Sequence, residues 1–486
     1  MHYLSTLIAV AALLGTSSAQ VDPRCKVGGG INPFLACRNI QPTPGGTPVY
    51  VTTDDTKKCC PAGSCYINNR HFTKNKATRE PIREPQEISQ TGRQLSFISF
   101  PFNRITTFPI RNLTQSSQEH SEQMPQISFF RPSTPPQTPL PPGITRSYIQ
   151  TPSGPLELLV ALPASRNNPP TSPSQNRAAD ATRIPKRTPL FFAHGGCGSA
   201  AVWIPYMQFF SREHQIPCYA LSYRGHGASW YPNFLRMFFT RMSTLAEDLA
   251  RGLAYVRETA GEEVVVVGHS SGGGLVQFCL DKGRVGGVGV GKVKGVALAG
   301  SIPGFGSLGV NLNWFFLDKW FLPRMLFKHF GHPMSPLSST ALVKQVFFSP
   351  EYPLSSVAQF ESLMPRYESF LWPNGMLFRF VNFQNVLKRI SGKGHGSRIL
   401  ILAGERDRLV SLDIAKREAE EYRSVFRELA KTNRLKAEVD DVVEEEGEST
   451  GCGVQFRVVD GAGHHFMNDL MWEEGAEKLL DFYEQL

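Results

Sequence analysis

One short stretch restricts the fold more than any other part of the sequence. Four consecutive valines at 264–267 run directly into a Gly-His-Ser-Ser-Gly segment at 268–272. An unbroken run of β-branched apolar residues is typical of a strand buried on both faces. Glycine at both ends of the segment permits a turn too tight for side chains. Because helical apolar spacing follows, the stretch predicts a strand, a sharp turn that exposes Ser270, and a helix.

This arrangement resembles the nucleophile elbow of the α/β-hydrolases, in which a Gly-x-Ser-x-Gly motif joins a strand to a helix. The resemblance implies that Ser270 is a catalytic nucleophile at the carboxyl end of its strand. A chance motif in a glycine-rich chain is the alternative. The strand before the motif and the helix after it argue against chance.

Length and charge limit the classes of protein to consider. The chain has 486 residues and a formal net charge of +9, enough for one large domain with additional segments. Its lysines and arginines are scattered and form no basic stripe, so we expect no nucleic-acid partner. The sequence carries no signature of a particular oligomeric state.

Residues 1–19 are predicted to be a signal peptide, because an apolar run at 4–14 precedes small residues that suit cleavage before Gln20. The run is too short to span a bilayer and no later stretch is long enough, so no stable membrane span is expected. The interpretation is a secreted or secretory-pathway protein. If the first 140 or so residues instead belong to a wrongly joined gene model, the protein begins near Ile144 and is cytoplasmic.

Residues 20–68 contain five of the nine cysteines and are predicted to form a small disulfide module with one thiol left over. A metal site is not expected, since the spacing lacks paired Cys-x-x-Cys motifs and only His71 lies near. Residues 69–143 are polar and proline-rich, which predicts a disordered linker. The linker contains a glycosylation sequon at Asn112.

From residue 144 the sequence alternates between predicted strands and helices up to residue 486. A β-hairpin is predicted at 147–160, a helix at 245–258 with Thr244 and Glu247 as a capping box, and a closing helix at 474–484. Buried strands are predicted near 190–193, 218–221, 293–298, 399–403 and 454–459. Such alternation indicates an α/β fold with a mostly parallel sheet flanked by helices, and ligands bind at the carboxyl ends of its strands.

About a hundred residues, 303–397, separate two of these strands without a sheet pattern, at the position where α/β-hydrolases carry an inserted helical cap. The segment holds two clusters of large apolar residues, at 314–330 and 370–380. We expect most of them to form the core of the cap itself and a few to face the substrate. An apolar wall favours an acyl or ring-bearing substrate over a sugar.

A serine nucleophile needs a base, and the base needs an acid to orient it. The superfamily places the acid after a late strand, and Asp407 has that position here, followed by Leu-Val. Glu405 and Asp413 are the alternative acids. The base follows the last strand in a Gly-x-Gly-His pattern, which favours His464 over the neighbouring His465.

Two main-chain N–H groups are expected to stabilise the oxyanion that forms on a substrate carbonyl. One belongs to Ser271, directly after the nucleophile. By resemblance to the His-Gly turn of the family, the other belongs to Gly196, with Cys197 as the alternative. Three further histidines near these loops are expected to have structural roles: His194, His226 and His269.

An acidic run at 438–448 is predicted to be a solvated loop before the last strand, and the spacing of its carboxylates does not suit calcium. No cofactor or metal is required. The sequence therefore predicts a serine hydrolase of the carboxylesterase or lipase type, acting on a small apolar ester through an acyl-enzyme. Acyl transfer or carbon–carbon bond hydrolysis by the same residues is the alternative reaction. A secreted cysteine-rich binding protein with a non-catalytic hydrolase-like domain is the alternative of another class.

Overall fold

The computed structural model describes residues 65–67, 70–72, 127–163, 187–392, 397–437 and 439–486. The chain divides into two compact units, residues 1–113 and 114–486. The described part of the first unit is an antiparallel pair of strands, β1 (Cys65–Ile67) and β2 (Arg70–Phe72). The predicted signal peptide, most of the cysteine-rich segment and the Asn112 sequon lie outside the described residues. So does most of the predicted linker. Of its described residues, 70–72 form strand β2, which the prediction of a disordered linker missed, and 127–143 contain no helix or strand.

The second unit is built on a ten-stranded sheet with the order β12-β13-β14-β11-β10-β7-β5-β6-β4-β3. Its six central strands, from β14 to β6, run parallel, and antiparallel strands close both edges. A separate two-stranded hairpin is formed by β8 (Arg284–Val285) and β9 (Val288–Gly289). The strands of the sheet are β3 (Ile144–Ile149), β4 (Leu156–Ala161), β5 (Leu190–Ala193), β6 (Cys218–Leu221), β7 (Val265–His269), β10 (Gly295–Ala299), β11 (Ile399–Gly404), β12 (Val443–Glu445), β13 (Glu448–Gly451) and β14 (Val454–Val459).

Twelve α-helices accompany the sheet in the described residues, and six of them, α5 to α10, lie between β10 and β11 as a helical cap. The helices are α1 (Ile204–Gln208), α2 (Phe234–Phe238), α3 (Met242–Ala260), α4 (Ser270–Lys282), α5 (Leu308–Leu317), α6 (Phe321–Pro323), α7 (Thr340–Phe347), α8 (Leu354–Glu361), α9 (Leu371–Asn374), α10 (Phe383–Lys388), α11 (Leu412–Lys431) and α12 (Trp472–Glu484). The predicted α/β class, parallel sheet and inserted cap are confirmed.

The middle strands of the sheet have no solvent-facing side. Every residue of β5, β7, β10 and β11 is buried. Apolar side chains on both faces of a strand require helices above and below the sheet, which the alternating connections supply. This explains why the sequence of β7 is an unbroken apolar run, and it fixes the elbow in the rigid centre of the unit.

Two local predictions are wrong. Helix α3 begins at Met242, and Arg241 occupies the N-cap without a capping side chain, so Thr244 and Glu247 form no capping box. Glu247 instead pairs with Arg251 one turn later. Part of the acidic run, 443–448, belongs to the edge hairpin β12–β13 rather than to a loop, although β12 is exposed to solvent as predicted, and Glu448 pairs there with Arg457 and Lys478.

The prediction that most large apolar residues of the cap form its core holds only in part. Trp372 and Met376 are buried, as is Met325. Five of the others are exposed: Phe316, Trp320, Phe327, Phe330 and Phe378. The first four of these belong to one short segment of the cap.

Among the described residues, no helix combines the length and the apolar character needed to cross a membrane.

Candidate active site

The nucleophile elbow has the geometry that the sequence predicts. Ser270 follows β7 and opens α4, and its backbone has φ +51°, a left-handed conformation that few non-glycine residues adopt. A Cβ atom on Gly272 would lie 2.1 Å from the carbonyl oxygen of His194. One on Gly268 would lie 2.7 Å from the Cα of Gly273. Glycine at both positions is therefore required for the turn to approach its neighbours so closely.

Ser270, Asp407 and His464 meet at the carboxyl edge of the sheet, although they are far apart in sequence. The Nε2 atom of His464 lies 3.0 Å from Ser270 Oγ, and its Nδ1 atom lies 2.7 Å from Asp407 Oδ2. The other carboxylate oxygen accepts the backbone N–H groups of Leu409 and Val410. Because these bonds hold the carboxylate, its remaining oxygen can only accept the Nδ1–H of His464. The Nε2 lone pair then faces the serine hydroxyl.

The alternative acids, Glu405 and Asp413, and the alternative base, His465, lie outside this series of contacts. Glu405 is exposed and accepts the N–H of Gly461, and Asp413 lies in the first turn of α11. His465 donates its backbone N–H to Phe347 and its ring contacts Asn468. Neither acid contacts His464, and His465 points away from Ser270.

Buried histidines surround His464 and are held neutral. Burial and the neighbouring imidazoles hold the pKa of His269 and of His465 well below the ordinary value. Since neutral His269 donates its Nε2–H to the carbonyl oxygen of His464, it fixes the backbone of that residue. From the cap, the ring of Phe347 stacks at 6.1 Å on the imidazole of His464. The histidine is therefore enclosed by rigid apolar and aromatic neighbours.

The His-Gly-Gly-Cys turn after β5 lies against the elbow. A Cβ atom on Gly195 would stand 2.8 Å from that of Ser270. The N–H of Gly196 donates to Ser271 Oγ at 2.7 Å, and the N–H of Cys197 donates to Glu368 Oε2 at 2.8 Å. Both candidate oxyanion donors of this turn therefore face side-chain oxygens, one a neutral hydroxyl and the other a carboxylate.

Glu368 is a site residue that sequence reasoning missed. It belongs to the cap, between α8 and α9. Its Oε2 atom lies 2.8 Å from the Nε2 atom of His226, which is in the loop before α2. The Nδ1 atom of His226 lies 3.0 Å from the carbonyl oxygen of Arg224. Because both ring nitrogens face acceptors, both carry protons, and the pair is an imidazolium with a carboxylate. No local signal could have revealed this partner, which is 142 residues away in sequence.

The pKa values of this pair are shifted in opposite directions. Burial disfavours a charged imidazole, but the adjacent carboxylate outweighs it and raises the pKa of His226 above the ordinary 6.5. Burial likewise opposes ionisation of Glu368, but the imidazolium and two backbone N–H groups lower its pKa below the ordinary 4.5. The ion pair joins the cap to the loop before α2, and the same carboxylate accepts the N–H of Cys197 in the turn after β5.

Replacing Glu368 with glutamine should destabilise the protein in a pH-dependent way. The raised pKa of His226 stabilises the fold fully below pH 6.5, and this contribution is lost as the pH rises through that pKa. The lowered pKa of Glu368 stabilises the fold above pH 4.5, and this contribution is lost as the pH falls through that pKa. The decrease in the free energy of unfolding should therefore be largest between pH 4.5 and pH 6.5, where it should be about 3 kcal/mol. Denaturant unfolding at several pH values measures it.

Glu351→Gln is the matched control for this variant. Glu351 also joins the cap to the core, through Arg406, but both side chains are exposed. Its replacement should cost under about 1 kcal/mol, because exposed ion pairs contribute little. Equal costs for the two variants, or a cost for Glu368→Gln that does not change with pH, would contradict a buried ion pair.

His194 is buried, and both of its ring nitrogens contact the backbone. His194 donates its Nδ1–H to the carbonyl of Gly195 and accepts the N–H of Tyr223 at Nε2. Burial, with the charge on His226, holds the pKa of His194 well below its ordinary value.

Among the residues that the structure describes, no group of three His, Cys, Asp or Glu side chains is arranged to hold a metal ion.

Comparison with known proteins agrees with this architecture. The model of a family described as "Alpha/beta hydrolase family" matches residues 190–479, more than half of the chain. The chain belongs to the α/β-hydrolase family.

Solved structures of bacterial esterases are similar to this chain at low sequence identity. An esterase from Exiguobacterium antarcticum is 17% identical with a TM-score of 0.42, over 70% of this chain and 100% of its own. A carboxylesterase from Bacillus subtilis is 17% identical with a TM-score of 0.42, over 70% of this chain and 91% of its own.

One curated relative is a "Probable alcohol acetyltransferase" from Cyberlindnera fabianii, 31% identical over 99 residues. The match covers 20% of this chain and 25% of that protein, so this chain spans about a quarter of the relative.

Proposed function

We propose that this protein is a serine hydrolase that cleaves a carboxylic ester of an apolar acyl or aromatic substrate through an acyl-enzyme. The observation that carries the proposal is the contact series from Ser270 Oγ through His464 to Asp407, with hydrogen-bond distances of 3.0 and 2.7 Å. Its position on a strained turn at the edge of a buried sheet supports a catalytic role, because such strain is retained where function requires it.

The reaction follows from the positions of these groups. Ser270 Oγ attacks the carbonyl carbon while His464 Nε2 takes its proton, and Asp407 stabilises the resulting imidazolium. The carbonyl oxygen becomes an oxyanion, for which the backbone N–H groups of Gly196 and Ser271 are the proposed donors. When the tetrahedral intermediate collapses, His464 returns the proton to the departing alcohol. Water then attacks the acyl-enzyme by the same proton transfers and releases the acid.

Substrate binding must change one contact of the free site. The N–H of Gly196 is bonded to the hydroxyl of Ser271, so a substrate carbonyl has to displace that hydroxyl to use the donor. The N–H of Cys197 is a poorer candidate, because it already donates to the carboxylate of Glu368. This contrast favours Gly196 over Cys197 as the donor.

The proposed preference for apolar substrates is supported by the cap. Its inner residues near the site are Phe347, which stacks on His464, and Met334, whose sulfur lies 3.5 Å from that of Cys197. We expect kcat/KM for p-nitrophenyl esters to rise about tenfold or more from acetate to an acyl chain of eight carbons, because each buried methylene adds favourable transfer energy. Initial rates across an acyl-length series measure this preference. A decrease with chain length would contradict the apolar site.

Acyl transfer to an alcohol is a second candidate, favoured by the match to the probable alcohol acetyltransferase. An alcohol would replace water in the attack on the acyl-enzyme, and His464 would take its proton in the same way. Turnover of an ester in the presence of ethanol separates the two reactions. A transferase yields mostly the ethyl ester, and a hydrolase yields mostly the acid.

The N-terminal residues support a further proposal, that the protein enters the secretory pathway.

A further inference from the structure

The segment 314–332 of the cap, here called the aromatic segment, presents large apolar side chains to solvent. Phe327 and Phe330 are 81% and 80% exposed, and Phe316, Trp320 and Leu326 are exposed as well. Single exposed apolar residues are ordinary on protein surfaces, but a concentration of five within fifteen residues marks an interaction site.

The aromatic segment is ordered by three of its polar residues, Asp318, Arg324 and His329, whose side chains are held against the cap. Arg324 forms an ion pair with Asp318, and both side chains are largely buried. The Nε–H of Arg324 donates to the carbonyl of Ser335, and the ring of His329 contacts Ser335 Oγ. A helical surface normally buries apolar side chains and exposes charged ones. Here one charged pair, Asp318 and Arg324, lies inward while the rings are exposed, so the rings are held outward by a specific polar network.

The backbone is also unusual at one of the two most exposed rings of the aromatic segment. Phe330 has φ +50°, a left-handed conformation that is costly for a bulky residue. Burial of its side chain cannot offset the strain, because the ring is four-fifths exposed. The conformation ends the helical turn at 324–328, where the N–H of Gly331 donates to the carbonyl of Met325, and this hydrogen-bonded turn fixes the direction of the ring.

The charges of the aromatic segment are positive. Asp318 is neutralised by Arg324, and Lys319 and Lys328 are exposed and form no ion pair within the described residues. Lysines interspersed with exposed Trp, Phe and Leu are typical of surfaces that lie in the headgroup region of a bilayer. Lysine is instead depleted from interfaces between proteins.

The aromatic segment is continuous with the surroundings of the site. His332, at its end, stacks on Phe234 of α2, next to the exposed Leu235. Two residues further along, Met334 contacts Cys197 in the turn beside Ser270. A surface bound at the aromatic segment would therefore lie next to the part of the cap that borders the candidate site.

We infer that the aromatic segment docks this protein on the surface of an anionic lipid bilayer. The rings of Trp320, Phe327 and Phe330 would enter the interfacial layer, and Lys319 and Lys328 would face acidic headgroups. The inference goes beyond the proposed function, because it concerns where the enzyme binds rather than what it cleaves.

Cosedimentation of the full chain with vesicles tests this inference without any turnover. One set of vesicles contains phosphatidylcholine alone, and the other contains phosphatidylcholine with phosphatidylserine. We expect stronger binding to the mixed vesicles. The double variant Phe327→Ser/Phe330→Ser should bind at least about tenfold more weakly, because two buried rings are removed from the bilayer.

The matched control is Leu162→Ser/Leu470→Ser, which removes two exposed apolar side chains outside the cap. It should bind like the wild type. Three results would overturn the inference: no binding to either vesicle, equal loss in both double variants, or a dimer in sedimentation velocity that depends on Phe327 and Phe330. The last result would assign the surface to a second copy of the chain. None of them would affect the hydrolase proposal, which is tested by turnover.

Discussion

Ser270→Ala is expected to reduce kcat for ester hydrolysis by about 10⁴–10⁶-fold, to the residual rate that binding and oxyanion stabilisation alone provide. The reason is that Ser270 Oγ is the only hydroxyl within hydrogen-bond distance of His464 Nε2 among the described residues. Alanine also lacks the atom that would form the acyl-enzyme. Steady-state rates with the best ester of the acyl-length series measure the loss.

Ser271→Ala is the control for this variant, because it changes a neighbouring serine of the same turn. It keeps the backbone N–H of residue 271 and removes the hydroxyl that occupies the N–H of Gly196. We expect it to retain activity within about tenfold of the wild type, since no main-chain oxyanion donor is lost. If Ser271→Ala were as inactive as Ser270→Ala, the nucleophile would be assigned wrongly.

His464→Gln is expected to be nearly as damaging, with a loss of about 10⁴–10⁶-fold in kcat. Glutamine cannot take a proton from Ser270 at neutral pH. Triad members act as one unit, so the double variant Ser270→Ala/His464→Gln should be no slower than either single variant. Rates of the three variants with one ester measure this non-additivity.

His465→Gln distinguishes the base from its neighbour. His465 lies among Phe347, Phe348 and Phe360, where its role is packing. We expect a lower melting temperature and a loss of activity under about tenfold for this variant. If folded His465→Gln lost as much activity as His464→Gln, the base would be His465 and not His464.

The sheet and the elbow could be predicted because their signals are local. The valine run before Ser270 reflects burial of β7 on both faces, and the glycines around Ser270 reflect close backbone contacts. The positions of Asp407 and His464 were predicted by their spacing from the ends of β11 and β14. Parallel neighbouring strands bring such positions together at one edge of a sheet.

The acidic run and Glu368 were misjudged for a different reason, which is dependence on partners distant in sequence. The acidic run resembles a solvated loop until Lys478 of α12 is known to neutralise Glu448. The Glu446-Gly447 turn, with two positive φ values, is the one local signal of that hairpin. Glu368 gives no local signal at all, because its role depends on where the cap places it relative to His226.

The exposed rings of the cap could not be distinguished from core residues by composition. Trp320 and Trp372 belong to similar apolar clusters, yet Trp320 is exposed and Trp372 is fully buried. Apolar content predicts burial only where the chain brings another apolar face to meet it. Here the inward ion pair of Asp318 and Arg324 decides which side of the segment faces out.

Labelling of the full chain with a fluorophosphonate probe, followed by mass mapping of the modified peptide, tests directly whether Ser270 is an activated nucleophile. The probe phosphonylates an activated serine without requiring the natural substrate. We expect one equivalent of label on Ser270, and no label in Ser270→Ala or His464→Gln. Folded wild-type protein that takes no label, or takes it on a serine other than Ser270, would contradict the serine hydrolase proposal.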